Sequence, residues 1–173
     1  MARRGGVPKG MIMAKQTAKG QGRVFLVVVD ETEEMRAALR FASLRAKSTG
    51  GKVALLYVIE PTEFTHWVAV EDLSQEENRE RAEEVMQDLS AEVNEWAGEL
   101  PVLFLREGTR DECVLELIEE EPDISILVLG AATGTKGPGP LVSALTGRLV
   151  SKLRVPVTIV PGNLSDEQII AIT

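Results

Sequence analysis

The chain has 173 residues, 44% of them hydrophobic and 27% charged, with a formal net charge of −8. That balance excludes a largely disordered chain, which combines few apolar residues with high net charge, and suits one globular domain with a full core. A single cysteine, Cys113, and a single histidine, His66, exclude an internal disulfide, a cysteine zinc cluster and histidine-rich metal sites.

No apolar run approaches the roughly 20 residues that span a bilayer, so no membrane contact is expected and a cytoplasmic location is. The charge is unevenly placed. Arg3, Arg4, Lys9, Lys15, Lys19 and Arg23 all fall within the first 23 positions, where there is no acid. This head lacks the apolar core of a secretory signal and is expected as a disordered basic tail over residues 1–22. Without aromatic residues to stack on bases, it gives little support to nucleic-acid binding.

Val24 to Val29 is a continuous β-branched and apolar run, which predicts a strand buried on both faces and ending at Asp30. Thr32 is an expected N-cap, with Glu33 and Glu34 in the first turn of a helix that ends at Gly50-Gly51. The spacing of Met35, Ala38, Leu39, Ala42 and Ala46 gives that helix one buried side. Val53 to Ile59 predicts a second strand. A loop from Glu60 to about Val70 holds Pro61, His66 and Trp67. An acidic helix follows over Leu73–Ala97, with Val85, Met86, Leu89, Val93 and Trp96 inward, and Pro101–Leu105 is a third strand.

Thr109 is expected to cap a third helix, with Val114, Leu115, Leu117 and Ile118 on its inner side and Cys113 as a small buried hydrophobe. Pro122 ends it, and Ile124–Leu129 is a fourth strand. A Gly/Pro-rich loop from Gly130 to Pro140 leads through Leu141–Thr146 to a helix expected near Gly147, and Val157–Val160 is a fifth strand. Asp166 and Glu167 open a short helix in a C-terminal tail, 163–173, whose isoleucines need a surface to cover. The alternation predicts one α/β domain over residues 23–162. Its sheet is doubly wound, five-stranded and parallel, in order 3-2-1-4-5, with helices on both faces in a Rossmann-like arrangement.

In such sheets a ligand sits beyond the carboxyl ends of the strands, where the strand order reverses. That crevice lies between the first and fourth strands, so Asp30 stands on one wall and the loop from Gly130 on the other. A carboxylate accepts hydrogen bonds from ribose hydroxyls or an adenine amine. Glycines let backbone N–H groups approach phosphate oxygens. None of the 27 acidic residues falls between Ile124 and Ser165, a stretch that carries Lys136, Arg148, Lys152 and Arg154. Buried strands account for part of that gap, but the exposed loop favours an anion site. There is no Walker A spacing and no G-x-G-x-x-G after the first strand.

These features together resemble the universal stress proteins. Val27-Val28-Val29-Asp30 resembles the family's first strand, although many relatives have proline where Val28 stands. Val53 to Ile59 is similar to its second strand, and Arg106-Glu107-Gly108 with Cys113 to Leu117 to its third strand exit and helix. Gly134-Thr135-Lys136-Gly137, then nine residues, then Gly147-Arg148, fits the family's ATP-binding spacing G-x2-G-x9-G-[S/T] except at Arg148. Val155 to Pro161 resembles the last strand. The resemblance covers about residues 23–162 and implies that ATP or AMP binds, with Mg2+ only alongside ATP. The residues it implies are Val28, Val29, Asp30, Val53, Leu129, Gly130, Gly134, Lys136, Gly137, Gly147, Arg148 and Leu149. It also implies a homodimer paired through residues 156–160.

Two departures leave alternatives open. The family's first motif glycine follows the fourth strand directly, which would be Gly130, whereas the matching spacing starts at Gly134. Arg148 stands where relatives have Ser or Thr, and it either pairs with a phosphate or fills the phosphate site. The function expected is therefore a nucleotide-responsive regulatory dimer, and the alternative is a dimeric protein-interaction module without nucleotide. No nucleophile or metal cluster lies near Asp30 in sequence, so at most slow ATP hydrolysis is expected.

Overall fold

The computed structural model describes residues 22–61 and 68–173. The basic head up to residue 21, and the loop positions His66 and Trp67, lie outside the described residues. Five strands, β1 (Val24–Val29), β2 (Lys52–Ile59), β3 (Val102–Glu107), β4 (Ile124–Ala131) and β5 (Val157–Pro161), form one sheet in the order β3-β2-β1-β4-β5. All four pairings are parallel. Between the strands run α1 (Glu33–Thr49), α2 (Val68–Ala97), α3 (Arg110–Glu120) and α4 (Pro140–Thr146), and α5 (Asp166–Ile172) follows the last strand.

The pleat of β1 divides the core. Phe25, Val27 and Val29 pack with Met35, Leu39 and Ala42 of α1, Met86, Leu89 and Val93 of α2, and Ile169 of α5. Leu26 and Val28 pack on the opposite face with Val114, Leu117 and Ile118 of α3 and Val142 and Leu145 of α4. Each fully buried leucine in these layers contributes about 1.5–3 kcal/mol through loss of apolar surface from water. β1 and β4 change register between Val24 and Phe25. There the Ser125 hydroxyl accepts from the Val24 amide at 3.0 Å, so the displaced donor keeps a partner.

Thr32 caps α1 as expected, its hydroxyl accepting from the Met35 amide, and Gly50 closes the helix in the left-handed conformation. Three local expectations need correction. α2 starts at Val68 rather than Leu73, because no glycine or proline lies between Val68 and Leu73 to delay it. Thr109 sits at the N-cap of α3, but its hydroxyl donates to the Glu112 carboxylate instead of accepting a helix amide. The helix expected near Gly147 lies earlier, at Pro140–Thr146. Pro140, with its φ already set, starts it, and Gly147 ends it. Between Gly147 and β5 there is only a 3-10 turn, Val150–Lys152, because Pro156 bars further helix.

The segment after β5 folds onto α1. Ser165 and Gln168 form a capping box for α5, Ile169 is buried, and Ile170 and Ile172 stay exposed. Arg40 of α1 pairs with Asp166 and stacks 4.0 Å over the Trp96 ring, tying α5, α1 and α2 together. Among the described residues no helix is long and apolar enough to cross a membrane.

Candidate functional site

At the carboxyl end of β1 the Asp30 carboxylate is set by its own turn. Its Oδ1 accepts from the Thr32 amide at 2.9 Å and the Thr32 hydroxyl at 2.6 Å. The Thr32 hydroxyl in turn caps α1, so the helix start fixes the carboxylate. Oδ2 takes no hydrogen bond among the described residues and remains an acceptor for something else.

On the face of the sheet that α3 and α4 cover, Val28, Val58, Leu129, Ala131, Leu145 and Leu149 share one apolar cluster. Val28, Leu129 and Leu149, all expected at the site, therefore lie on the same face of the sheet. Val29 turns its side chain to the other face, among α1 and α2 residues. Val53 is not brought to the site. It pairs in register with Phe25 at the amino end of the sheet, while Val29 pairs with Tyr57. At about 3.3 Å per residue, that places Val53 some 16 Å from the Asp30 end. Val58, five residues on, lies near the carboxyl end of β2 and in the same cluster as Val28 and Leu129.

The glycines divide by role. β4 continues through Ala131, which pairs with Pro161, so Gly130 belongs to the strand and Gly134 is the first glycine of the loop. A Cβ on Gly130 would meet the backbone of Glu34 and Met35, so this glycine lets α1 approach β4. The loop is closed by a hydrogen bond from the Ala132 amide to the Pro138 carbonyl at 3.2 Å. Gly134 has open space around it, and Lys136 is exposed. Gly137 and Gly139 have φ of +87° and +104°, a region that side chains strain. Gly147 packs against the Ser143 carbonyl and donates its amide to it, while the Leu149 amide donates to Ala144. Both amides are thus engaged at a helix end.

Arg148 does not stand free among the described residues. Its terminal nitrogen is 2.7 Å from Asp111 Oδ2 in the first turn of α3. Burial pushes the Asp111 carboxyl up, but hydrogen bonds from Arg148 and the Glu112 amide outweigh it and hold the group below the usual carboxylate range. Arg110 reaches back to Glu60 after β2 at 3.5 Å, so the start of α3 is tied on two sides. Nothing local in the sequence marks Asp111; the fold brings it to a residue 37 positions away.

The other cations of the acid-free stretch serve different ends. Arg154 donates to the carbonyls of Ile118, Glu121 and Ile124, closing the C-terminal end of α3. Lys152 lines a concavity of about 610 Å³ on the outer face of α3, with Glu112, Leu115, Glu116, Glu119 and Glu120. Cys113 is buried, and burial pushes its thiol above the usual range, which leaves it a packing group. Among the described residues no group of three or more His, Cys, Asp or Glu is placed to hold a metal.

The domain is a doubly wound parallel α/β sheet with a carboxylate and a glycine loop on either side of its strand-order reversal. The universal stress protein family model matches residues 23–161, and the chain belongs to that family. Solved structures agree in fold. The universal stress protein UspA from Lactobacillus plantarum is similar at a TM-score of 0.66 and 21% identity, covering 82% of this chain and 99% of that one. A universal stress protein family member from Burkholderia pseudomallei is similar at 0.62 and 20%, covering 80% and 95%. A family protein from Arabidopsis thaliana with AMP bound is similar at 0.58 and 14%, covering 84% and 94%. No curated protein sequence matches the chain.

Proposed function

We propose that this protein binds an adenine nucleotide, ATP or AMP, in the crevice between β1 and β4 and acts as a homodimeric stress-response module. The observation that carries the reading is Asp30. Its Oδ1 is locked by Thr32 while Oδ2 is left as an acceptor at the carboxyl end of β1, above the apolar cluster of Val28, Val58 and Leu129. That pairing suits a ribose or adenine edge against an apolar floor. Gly134, which has open space around it, and exposed Lys136 suit the phosphates. The AMP-bound Arabidopsis thaliana protein of the same fold is in line with this. Mg2+ would accompany ATP only.

β5 ends the sheet, with Ile159 exposed on an unpaired edge, which supports pairing of residues 156–160 across a twofold axis. A second reading, a dimeric interaction module without nucleotide, draws on the engaged Gly147 and Leu149 amides and the Arg148–Asp111 pair. Calorimetric titration with ATP and AMP, beside mass spectrometry of nucleotide released from the purified protein, decides between them. Saturable binding that Asp30→Ala weakens at least tenfold is expected. No heat at millimolar ligand would favour the interaction module.

A further inference from the structure

Arg148 occupies the motif position at which the resemblance implies contact with terminal phosphates. Its partner Asp111 opens α3 just past the carboxyl end of β3, and Arg110 beside it reaches Glu60 just past β2, so Arg148 lies at the same end of the sheet as Asp30. We infer that Asp111 is an internal competitor for ligand phosphate: its carboxylate holds Arg148 until a phosphate takes its place, so the crevice responds to the phosphate charge a nucleotide carries. The inference rests on the nucleotide reading and names the residue that tunes it.

Three features support the exchange. The pair is a single contact, from one terminal nitrogen to Oδ2, and the guanidinium's other nitrogens have no hydrogen bond among the described residues. The Arg148 side chain is 68% exposed and long, whereas Asp111 is 22% exposed, sits in the first turn of α3, and accepts from the Glu112 amide at its Oδ1. Asp111 is thus the fixed partner and Arg148 the one that moves. A single-contact exposed pair is weak, while a phosphate offers more charge and a fork of acceptors to the same guanidinium. Once Arg148 leaves, the uncompensated Asp111 carboxylate repels a polyphosphate nearby, so the aspartate opposes binding in two ways.

The test is calorimetric titration of the full chain with ATP, adenosine and tripolyphosphate, as wild type, Asp111→Asn, Arg148→Gln and the double variant. Asp111→Ser is a second neutral variant, in case Asp111→Asn folds poorly. Removing the carboxylate is expected to tighten ATP and tripolyphosphate about threefold to tenfold and leave adenosine unchanged. In the Arg148→Gln background the same change should give no such gain. Unchanged or weaker ATP binding in both neutral variants, with adenosine still bound, overturns the competitor role but not the nucleotide reading. An equal gain without Arg148 also overturns it, since that would be simple charge repulsion. Tripolyphosphate binding that tightens without Asp111, in a protein that takes neither adenosine nor ATP, sinks the adenine reading and supports the competition. If no variant binds ATP or tripolyphosphate, the inference is wrong.

Discussion

A Cβ atom on Gly130 would lie 2.1 Å from the backbone carbonyl oxygen of Glu34. Gly162 meets the same residue from β5's side, where a Cβ would come within 2.6 Å of the Glu34 Cβ. Two glycines from the ends of adjacent strands therefore seat the first turn of α1, the turn whose cap, Thr32, also holds Asp30. Packing and site share one anchor: if α1 shifts away from β4, the Asp30 carboxylate shifts with it.

Gly130→Ala is expected to destabilise the fold by about 3 kcal/mol, the upper part of the usual overpacking range, because the obstructing atoms are backbone and cannot swing aside. For a domain of this size that lowers Tm by roughly 6–12 °C. Gly134→Ala has open space and should change stability by no more than about 0.5 kcal/mol, while still weakening nucleotide binding if phosphate approaches the loop there. Thermal unfolding of the two variants separates a packing glycine from a loop glycine. Equal Tm values would refute the assignment of Gly130.

The two glycines also show where the sequence was informative. The parallel α/β class follows from alternation of buried runs with amphipathic ones, so β1 to β5 and the inner side of α1 were legible from Val24 onward, whereas the strand order does not follow from alternation alone. Gly130 looked like a phosphate-loop glycine because spacing does not reveal that β4 runs on to pair Ala131 with Pro161. Val53 was expected at the crevice but lies at the amino end of β2, since a β-branched run reads alike at either end. Asp111 left no trace at all. Its importance is a tertiary relation between the start of α3 and the end of α4, and only the folded backbone supplies it.

Arg154 makes the same point from the other end of α3. It counted in sequence as one cation of an anion site, yet its guanidinium satisfies the carbonyls of Ile118, Glu121 and Ile124. The last carbonyls of a helix lack intrahelical partners, and a planar cation near them also meets the negative end of the dipole. Arg154→Ala should cost about 2 kcal/mol in urea unfolding, from the loss of several charge-assisted hydrogen bonds. Arg154→Lys should restore little of it, because an ammonium on a flexible stem cannot span three carbonyls in one plane. Full recovery by lysine would mean that charge alone matters at this position.

The Asp111–Arg148 pair predicts a pH dependence whose sign can be fixed in advance. Hydrogen bonds and the Arg148 charge hold the folded Asp111 carboxyl below its unfolded value despite its partial burial. A depressed carboxyl stabilises the fold above the unfolded pKa, and that contribution disappears as pH falls through the folded pKa. Wild type should therefore melt slightly above Asp111→Asn at neutral pH, by an amount set by a largely exposed pair, below about 1 kcal/mol. The gap should narrow as pH drops past about 4 and close in stronger acid. High salt at neutral pH should narrow it as well, since the Arg148 end is exposed to solvent. A gap that widens in acid would mean that the folded carboxyl is raised rather than lowered, and that Arg148 does not hold Asp111 in solution.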